Sequence, residues 1–171
     1  MIVLMAGLPG TGKSTLASEL VARTSGVVLD KDQIRSALFA PADIEYSTQQ
    51  DDFCQQVILE TAGYILRKAP VRVIFLDGRP FSRRSQIDQV VQAAEKLNQP
   101  WRILQCVCSD ETARQRLLEQ AASGEHPARN RDYRLYTEVK ERFEEINLPK
   151  TVIDTDQPFE ACVQRALDAL R

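Results

Sequence analysis

The sequence predicts a three-layer α/β/α fold around a five-stranded, mainly parallel sheet. Five apolar, β-rich runs alternate along the chain with helical patterns; they cover residues 2–6, 26–30, 71–77, 102–108 and 150–155. The runs are mostly continuous rather than alternating in polarity, which is typical of strands covered on both faces. Regular alternation of strand and helix favours parallel strands with helices on either side of the sheet.

Helical periodicity fills the segments between these strands. The third pattern carries Cys54, Ile58, Ala62, Ile65 and Ala69 on one apolar stripe. Two stretches, 40–50 and 122–132, contain turn formers and polar residues and are predicted to be loops. The helical patterns lie near residues 13–23, 32–39, 51–69, 83–97, 110–122, 132–145 and 159–170.

Length and composition restrict the class of protein. A chain of 171 residues is long enough for one substantial core, so residues 1–171 are predicted to form a single domain. The net charge of −2 gives no general attraction to nucleic acid or to anionic membranes. A single histidine argues against a Cys/His zinc cluster, and no segment resembles a leader or a membrane span. The sequence therefore indicates a cytoplasmic protein with neither a membrane partner nor an evident obligate protein partner.

The four cysteines are scattered rather than spaced as a disulfide framework. Cys106 and Cys108 lie two residues apart in a predicted strand, so their side chains share one face. Buried, reduced thiols are the favoured interpretation, and a redox or metal-binding pair is the alternative.

A glycine-rich loop, GLPGTGKST, separates the first strand from the first helix. The spacing Gly7-x-x-x-x-Gly12-Lys13-Ser14 matches the phosphate-binding P-loop, and strand, loop and helix follow in the required order. The glycines allow backbone N–H groups to turn toward an anion, and the helix start adds unpaired N–H groups. The motif predicts a P-loop NTPase fold that binds ATP through Gly7, Leu8, Pro9, Gly10, Thr11, Gly12, Lys13, Ser14 and Thr15. A chance glycine-rich turn is the alternative interpretation.

Two of these residues have chemical roles in such a loop. Lys13 is predicted to reach the β- and γ-phosphates, and the Ser14 hydroxyl to ligate Mg²⁺. Asp77 follows the apolar run of VRVIFLD and is predicted to help hold the same metal ion. A generic aspartate at a strand end is the alternative interpretation of Asp77.

The second strand ends in LDKDQIR, which places charged residues at the mouth of a cleft. Asp32 and Arg35 lie three residues apart, so both side chains share one face once the helix has begun. A carboxylate beside the γ-phosphate orients a hydroxyl and accepts its proton, while an arginine binds a phosphate or carboxylate. A helix N-cap at Asp32 and a solvated charge at Arg35 are the alternatives, and Asp32 can be both cap and base.

These motifs carry a resemblance to known proteins. GLPGTGKST, DKDQIR and FLDGRP occur in the order found in the P-loop kinase group of polynucleotide 5′-kinase, zeta-toxin-like kinases and chloramphenicol phosphotransferase. The resemblance implies that Asp32 is the general base and that Arg35 contacts a substrate phosphate. The chain departs from the polynucleotide kinase at residues 77–79, where Asp-Gly-Arg replaces Asp-Thr-Asn.

A lid and a base contact are also implied by this resemblance. Arginines in a loop at about residues 122–133 close over the triphosphate in related kinases, which indicates Arg129 and Arg131 here. Arg114 and Arg116 either stack on adenine or pair with surface carboxylates, and Arg114 has the position that is usual for the group. An Arg-rich polar loop suits a lid that excludes water, although a solvated surface turn has the same composition.

The predicted function is ATP-dependent transfer of the γ-phosphoryl to a hydroxyl of a small molecule or of a nucleic-acid 5′ end. A nucleoside monophosphate kinase and an ATPase module are the alternatives; Asp32 argues against the former, since a phosphate acceptor needs no strong base. The guanine-reading motif Asn-Lys-x-Asp does not occur in the sequence, which argues against a GTPase switch. The signature LSGGQ of transporter ATPases is also absent from the sequence. Arg79, Arg83 and Arg84 follow Asp77 and either bind an anionic substrate or form a basic helix start.

Overall fold

The computed structural model describes residues 1–123 and 133–171, with only the backbone of Ser123. Five strands in this part of the chain form one sheet in the order β2-β3-β1-β4-β5, with every adjacent pair parallel. The predicted, mainly parallel sheet is thus wholly parallel. The strands are β1 (Ile2–Ala6), β2 (Val27–Asp30), β3 (Ile74–Asp77), β4 (Trp101–Val107) and β5 (Thr151–Asp154).

Helices connect the strands and cover both faces of the sheet. Successive residues of β1 point to opposite faces, so Ile2 and Leu4 belong to one apolar cluster, and Val3 and Met5 to another. This double burial explains the continuous apolar runs and confirms the predicted three layers. The helices are α1 (Lys13–Thr24), α2 (Lys31–Leu38), α3 (Thr48–Lys68), α4 (Arg84–Lys96), α5 (Asp110–Ser123), α6 (Tyr133–Glu141) and α7 (Phe159–Ala169), with a 3₁₀ turn at Pro41–Asp43.

Three predicted boundaries were wrong by several residues. β3 begins at Ile74 rather than at residue 71, and Val71 is 94% exposed. α3 begins three residues earlier than predicted because the Ser47 hydroxyl caps it, accepting a hydrogen bond from the backbone N–H of Gln50. α6 ends at Glu141, although its pattern extended to residue 145.

The cysteine thiols are free in the described residues. Cys106 is buried in β4, and burial raises the pKa of its thiol to about 12. A thiol of that pKa is almost wholly protonated at neutral pH, and the thiolate is the reactive form. The structure therefore agrees with the interpretation of Cys106 as a buried, reduced residue.

No helix in the two described stretches has both the length and the apolar character needed to cross a membrane.

Candidate functional site

The glycine-rich loop joins β1 to α1 and has the backbone conformation expected of a phosphate-binding loop. Gly7, Gly10 and Gly12 have φ values of 136°, 78° and 79°. At Gly7 a Cβ atom would lie 2.3 Å from the Cys106 carbonyl oxygen, so the close approach of the loop to β4 requires glycine. The Lys13 ammonium is buried and donates to the Leu8 carbonyl oxygen at 2.7 Å, which holds it within the loop.

A cavity of about 120 Å³, here called the central cavity, opens at the carboxyl ends of β1, β2 and β3. It brings together five residues predicted for the site, Lys13, Ser14, Asp32, Arg35 and Asp77. Ligand sites of open α/β sheets lie at this edge. The described residues that line it are Pro9, Lys13, Ser14, Lys31, Asp32, Arg35, Tyr46, Asp51, Asp77, Gly78, Arg79, Pro80, Leu135, Val139 and Arg142.

The start of α2 places Asp32 inside the central cavity. Asp30 is the N-cap, because its side chain accepts a hydrogen bond from the Gln33 backbone N–H at 2.8 Å. The predicted capping role of Asp32 was therefore wrong. Asp32 lies in the first helical turn, is only 6% exposed, and accepts a hydrogen bond from Arg35 Nη1 at 2.7 Å. Its carboxylate is thus available for a role other than capping.

Asp51, at the start of α3, completes a compact group of four charges that the sequence did not reveal. Lys31 Nζ lies 3.0 Å from Asp32 and 2.8 Å from Asp51, and Arg35 Nη2 also donates to Asp51. Burial lowers the pKa of Lys31, and the opposing charge of Asp32 limits the fall. The Arg35 guanidinium also lies 5.0 Å from the centre of the Tyr46 ring. These contacts fix the orientation of the Asp32 carboxylate.

Asp77 ends β3 opposite Asp30 and is 2% exposed. Its Oδ1 is buried and has no hydrogen-bond partner among the described residues. Ser14 and Asp77 line the same cavity, and a carboxylate oxygen and a hydroxyl are donors that suit Mg²⁺, so the two residues fit the predicted metal site. The described chain holds no group of three or more His, Cys, Asp or Glu side chains able to bind a metal by themselves. Phosphate oxygens would supply the remaining ligands, as is usual for Mg²⁺.

Gly78 allows the end of β3 to touch the start of α2. Its φ is 81°, and a Cβ atom there would lie 2.8 Å from the backbone nitrogen of Lys31 and 3.1 Å from that of Asp32. The glycine of the Asp-Gly-Arg departure therefore brings Asp77 and Asp32 to one cavity. We infer that the contact between the end of β3 and the start of α2 requires glycine at position 78.

Replacement of Gly78 tests this contact. Gly78→Ala is expected to lower the free energy of unfolding by about 2 kcal/mol or more, because the alanine is strained at positive φ and meets backbone atoms. Urea denaturation measures the change. Gly63→Ala is the control, since Gly63 lies within α3 and its added Cβ would meet only side chains. Equal stability of Gly78→Ala and the wild type would contradict the inferred contact.

The carboxylate of Asp30 makes stability depend on pH. Burial raises the pKa of Asp30, with a further contribution from the Asp77 and Asp32 charges. Because the folded protein favours the protonated acid, ionisation at higher pH costs stability. Asp30→Asn keeps a capping side chain and is expected to be more stable than the wild type at neutral pH.

The difference in stability between the wild type and Asp30→Asn is expected to disappear at low pH, because Asp30 is then protonated in both the folded and the unfolded protein. Near pH 3, roughly below the usual aspartate pKa, wild type and Asp30→Asn are expected to unfold at similar urea concentrations. Asp168→Asn, at an exposed carboxylate of α7, serves as the control. A variant less stable than the wild type at pH 7 would contradict the burial argument.

A second cavity, of about 500 Å³, is also lined by residues of the phosphate loop. Gly10, Gly12 and Thr15 line it, and Arg116 forms hydrogen bonds of 2.9 Å to the Thr155 hydroxyl and carbonyl oxygens. Arg114, predicted to contact adenine, is not among the lining residues; it is exposed and lies 5.7 Å from the ring centre of Tyr133. The structure thus brings Arg116, and not Arg114, to the loop.

The predicted lid falls partly outside the described residues. Arg129 and Arg131 both lie outside the described residues, so their contact with the transferring phosphoryl stays a prediction. α6 follows this segment, and its Leu135 and Val139 line the central cavity. Arg83 and Arg84 are exposed, whereas Arg79 of the same cluster is buried in the cavity wall.

A phosphate loop between β1 and α1, in a parallel sheet with this strand order, defines a P-loop protein with a kinase-like fold. The chain belongs to the AAA_33 family of AAA domains, whose profile matches residues 2–165. No curated protein gives a significant match to the chain.

Solved structures of the same fold cover nearly the whole chain. A candidate kinase from Chloroflexus aurantiacus has 22% identity and a TM-score of 0.77, covering 99% of this chain and 98% of its own. A gluconokinase from Sinorhizobium meliloti has 17% identity and a TM-score of 0.71, with coverages of 99% and 90%. Chaetomium thermophilum Kti12, solved with ADP-AlF3, has 18% identity and a TM-score of 0.72, with both chains covered completely. At these identities the likeness establishes the fold.

Proposed function

We propose that the protein is an ATP-dependent phosphotransferase that moves the γ-phosphoryl to a hydroxyl of a small molecule or of a nucleic-acid 5′ end. The observation that carries this proposal is the position of Asp32. Its buried carboxylate opens on the same cavity as Lys13, Ser14 and Asp77. A carboxylate beside the phosphate-binding residues is what a hydroxyl acceptor requires.

We assign the base of ATP to the second cavity and the acceptor to the central cavity. Residues 7–15 would hold the phosphates of ATP, and the second cavity, with Arg116 at its wall, would take the base. Ser14 and Asp77 would hold Mg²⁺, which neutralises charge on the phosphate oxygens when bound. The acceptor hydroxyl would then enter the central cavity on the side of α2 and α3.

Asp32 would orient the acceptor hydroxyl and take its proton. Arg35 and Lys31 bind one side of the carboxylate, at 2.7 and 3.0 Å, and so restrict its rotation. Lys13 would meet the charge that develops on the transferring group.

The alternatives differ in what they require of the central cavity. A nucleoside monophosphate kinase binds a phosphate acceptor, for which a buried carboxylate beside the γ-phosphate is unfavourable. An ATPase module requires no acceptor, and the structural similarity to Kti12, which was solved with ADP-AlF3, is compatible with this alternative. The gluconokinase neighbour favours a hydroxyl acceptor. Cytoplasmic location and the lack of an obligate protein partner stay predictions.

A screen with γ-labelled ATP tests the proposal. Nucleosides, sugars, antibiotics and 5′-hydroxyl oligonucleotides are offered in turn, and labelled phosphomonoester is separated from labelled inorganic phosphate. The proposal expects a phosphomonoester with at least one acceptor class. Acceptor-independent release of phosphate alone would favour the ATPase module, and transfer to a nucleoside monophosphate would favour the other alternative.

A further inference from the structure

The strongest unexplained feature of the central cavity is the side chain of Arg79. It follows Gly78 in the wall of the cavity and is only 2% exposed. Its Nη2 donates to Asp52 at 2.5 Å, but Nε and Nη1 have no hydrogen-bond partner in the described part of the chain. Buried arginines normally use most of their five donors, so this one is equipped for a further acceptor.

The other cations of the α2 side are already neutralised. Arg35 donates to both Asp32 and Asp51, and Lys31 contacts the same two carboxylates. Arg35 has only its Nε without a partner among the described residues. The resemblance to polynucleotide kinase assigned the substrate phosphate to Arg35, but here two carboxylates occupy that guanidinium. Of the two buried arginines that line the cavity, Arg79 therefore keeps more donors without a partner among the described residues than Arg35 does.

The partner of Arg79 leaves room for an exchange. The Asp52 side chain is 47% exposed, so water can solvate this carboxylate when another anion competes for Arg79. Arg79 lines the central cavity, so an anion there would lie next to the side chain that carries these two remaining donors. Lining arginines and lysines outnumber lining carboxylates in the described wall of this cavity, which also favours a negative ligand.

We propose that the phosphoryl acceptor carries an anionic group, a phosphate or a carboxylate, which binds the guanidinium of Arg79 while its hydroxyl lies at Asp32. This proposal rests on the proposed function and adds the class of acceptor. Arg79 is then the specificity-determining residue that separates anionic alcohols from neutral ones. Its position two residues after Asp77 couples recognition of the acceptor to the metal-holding strand end.

The binding of simple anions to Arg79 tests the proposal without knowledge of the acceptor. The full-length protein, labelled with nitrogen-15 and saturated with Mg²⁺ and AMPPNP, is titrated with inorganic phosphate or with acetate at constant ionic strength. Saturation with nucleotide keeps the probe out of the phosphate loop. The arginine Nε–Hε resonances report binding, and Arg79→Lys identifies the signal of Arg79.

The proposal expects a saturable shift of the Arg79 signal. Arg79→Gln is expected to lower anion affinity by about tenfold or more, since charge-assisted hydrogen bonds are lost. Asp52→Asn is expected to raise the affinity, because it removes the competing carboxylate, whereas a purely structural ion pair predicts no gain. Arg84→Gln, an exposed arginine of the same cluster, is the control. The arm that binds more tightly, phosphate or acetate, identifies the anionic group.

An Arg79 signal that does not respond to either anion, or an affinity unchanged in Arg79→Gln, would overturn the proposal. If either result occurs while the labelled-ATP screen shows normal transfer to a neutral alcohol, the anion site at Arg79 is contradicted and the proposed function is not. Anion binding at Arg79 without any transfer would instead contradict the proposed function and leave the anion site in place.

Discussion

Asp32→Asn is expected to reduce phosphoryl transfer to a hydroxyl by roughly two to four orders of magnitude, the usual contribution of a positioned base. The substitution keeps the size of the side chain and removes the carboxylate that we propose as the proton acceptor. Nucleotide binding is expected to survive, because the residues proposed to bind the nucleotide are 7–15 and Asp77. The paired measurement is acceptor phosphorylation and AMPPNP affinity for each protein.

Asp32→Asn is also expected to change the stability of the folded protein. Asp32 neutralises Arg35 and Lys31, so the asparagine variant is expected to lose about 1–3 kcal/mol of stability. Asp51 still pairs with both cations, so the variant is expected to fold. Asp51→Asn disturbs the same ion pairs and is therefore the matched control; we expect it to retain more transfer. Equal losses in the two variants would assign the effect to the charge network rather than to a base.

Lys13→Ala is expected to lower kcat by at least about two to three orders of magnitude, as the loss of one donor at a developing negative charge commonly does. Lys13 Nζ donates to the Leu8 carbonyl oxygen, and the Lys13 side chain is buried. Lys13→Met keeps most of that packing and removes only the charge. Both variants are expected to remain folded, as circular dichroism and urea denaturation would show.

Lys96→Ala provides the control for charge removal, because Lys96 is exposed in the last turn of α4. Its turnover is expected to equal that of the wild type. Wild-type turnover in a folded Lys13→Met protein would refute the assignment of the phosphate loop.

Much of the fold follows from local patterns. The continuous apolar runs predicted strands that are covered on both faces, and β1 has residues in the apolar clusters of both sides. The wrong boundaries arose where a local signal was outweighed or overlooked. Ser47 is a standard cap that lies among the turn formers of 40–50, and Val71 is apolar yet remains in solvent.

The site was predictable only where it lies within one motif. The loop 7–15 and the pair Asp32 and Arg35 depend on short spacings, which a sequence displays directly. Asp51 joins them from α3 through tertiary packing, at a distance of 16 residues along the chain from Arg35. Arg79 was one of three clustered arginines, and only burial separates it from Arg83 and Arg84.

The most direct test of the central claim follows the fate of the γ-phosphoryl in phosphorus NMR. Wild type and Asp32→Asn are each incubated with Mg²⁺, ATP and a small-molecule cell extract that supplies acceptors. We predict that the wild type produces a new phosphomonoester signal as the γ-signal falls, and that Asp32→Asn, though it binds AMPPNP normally, does not. Inorganic phosphate as the sole wild-type product, or the same phosphomonoester at the same rate from both proteins, would contradict the assignment of Asp32 as the base of a hydroxyl kinase.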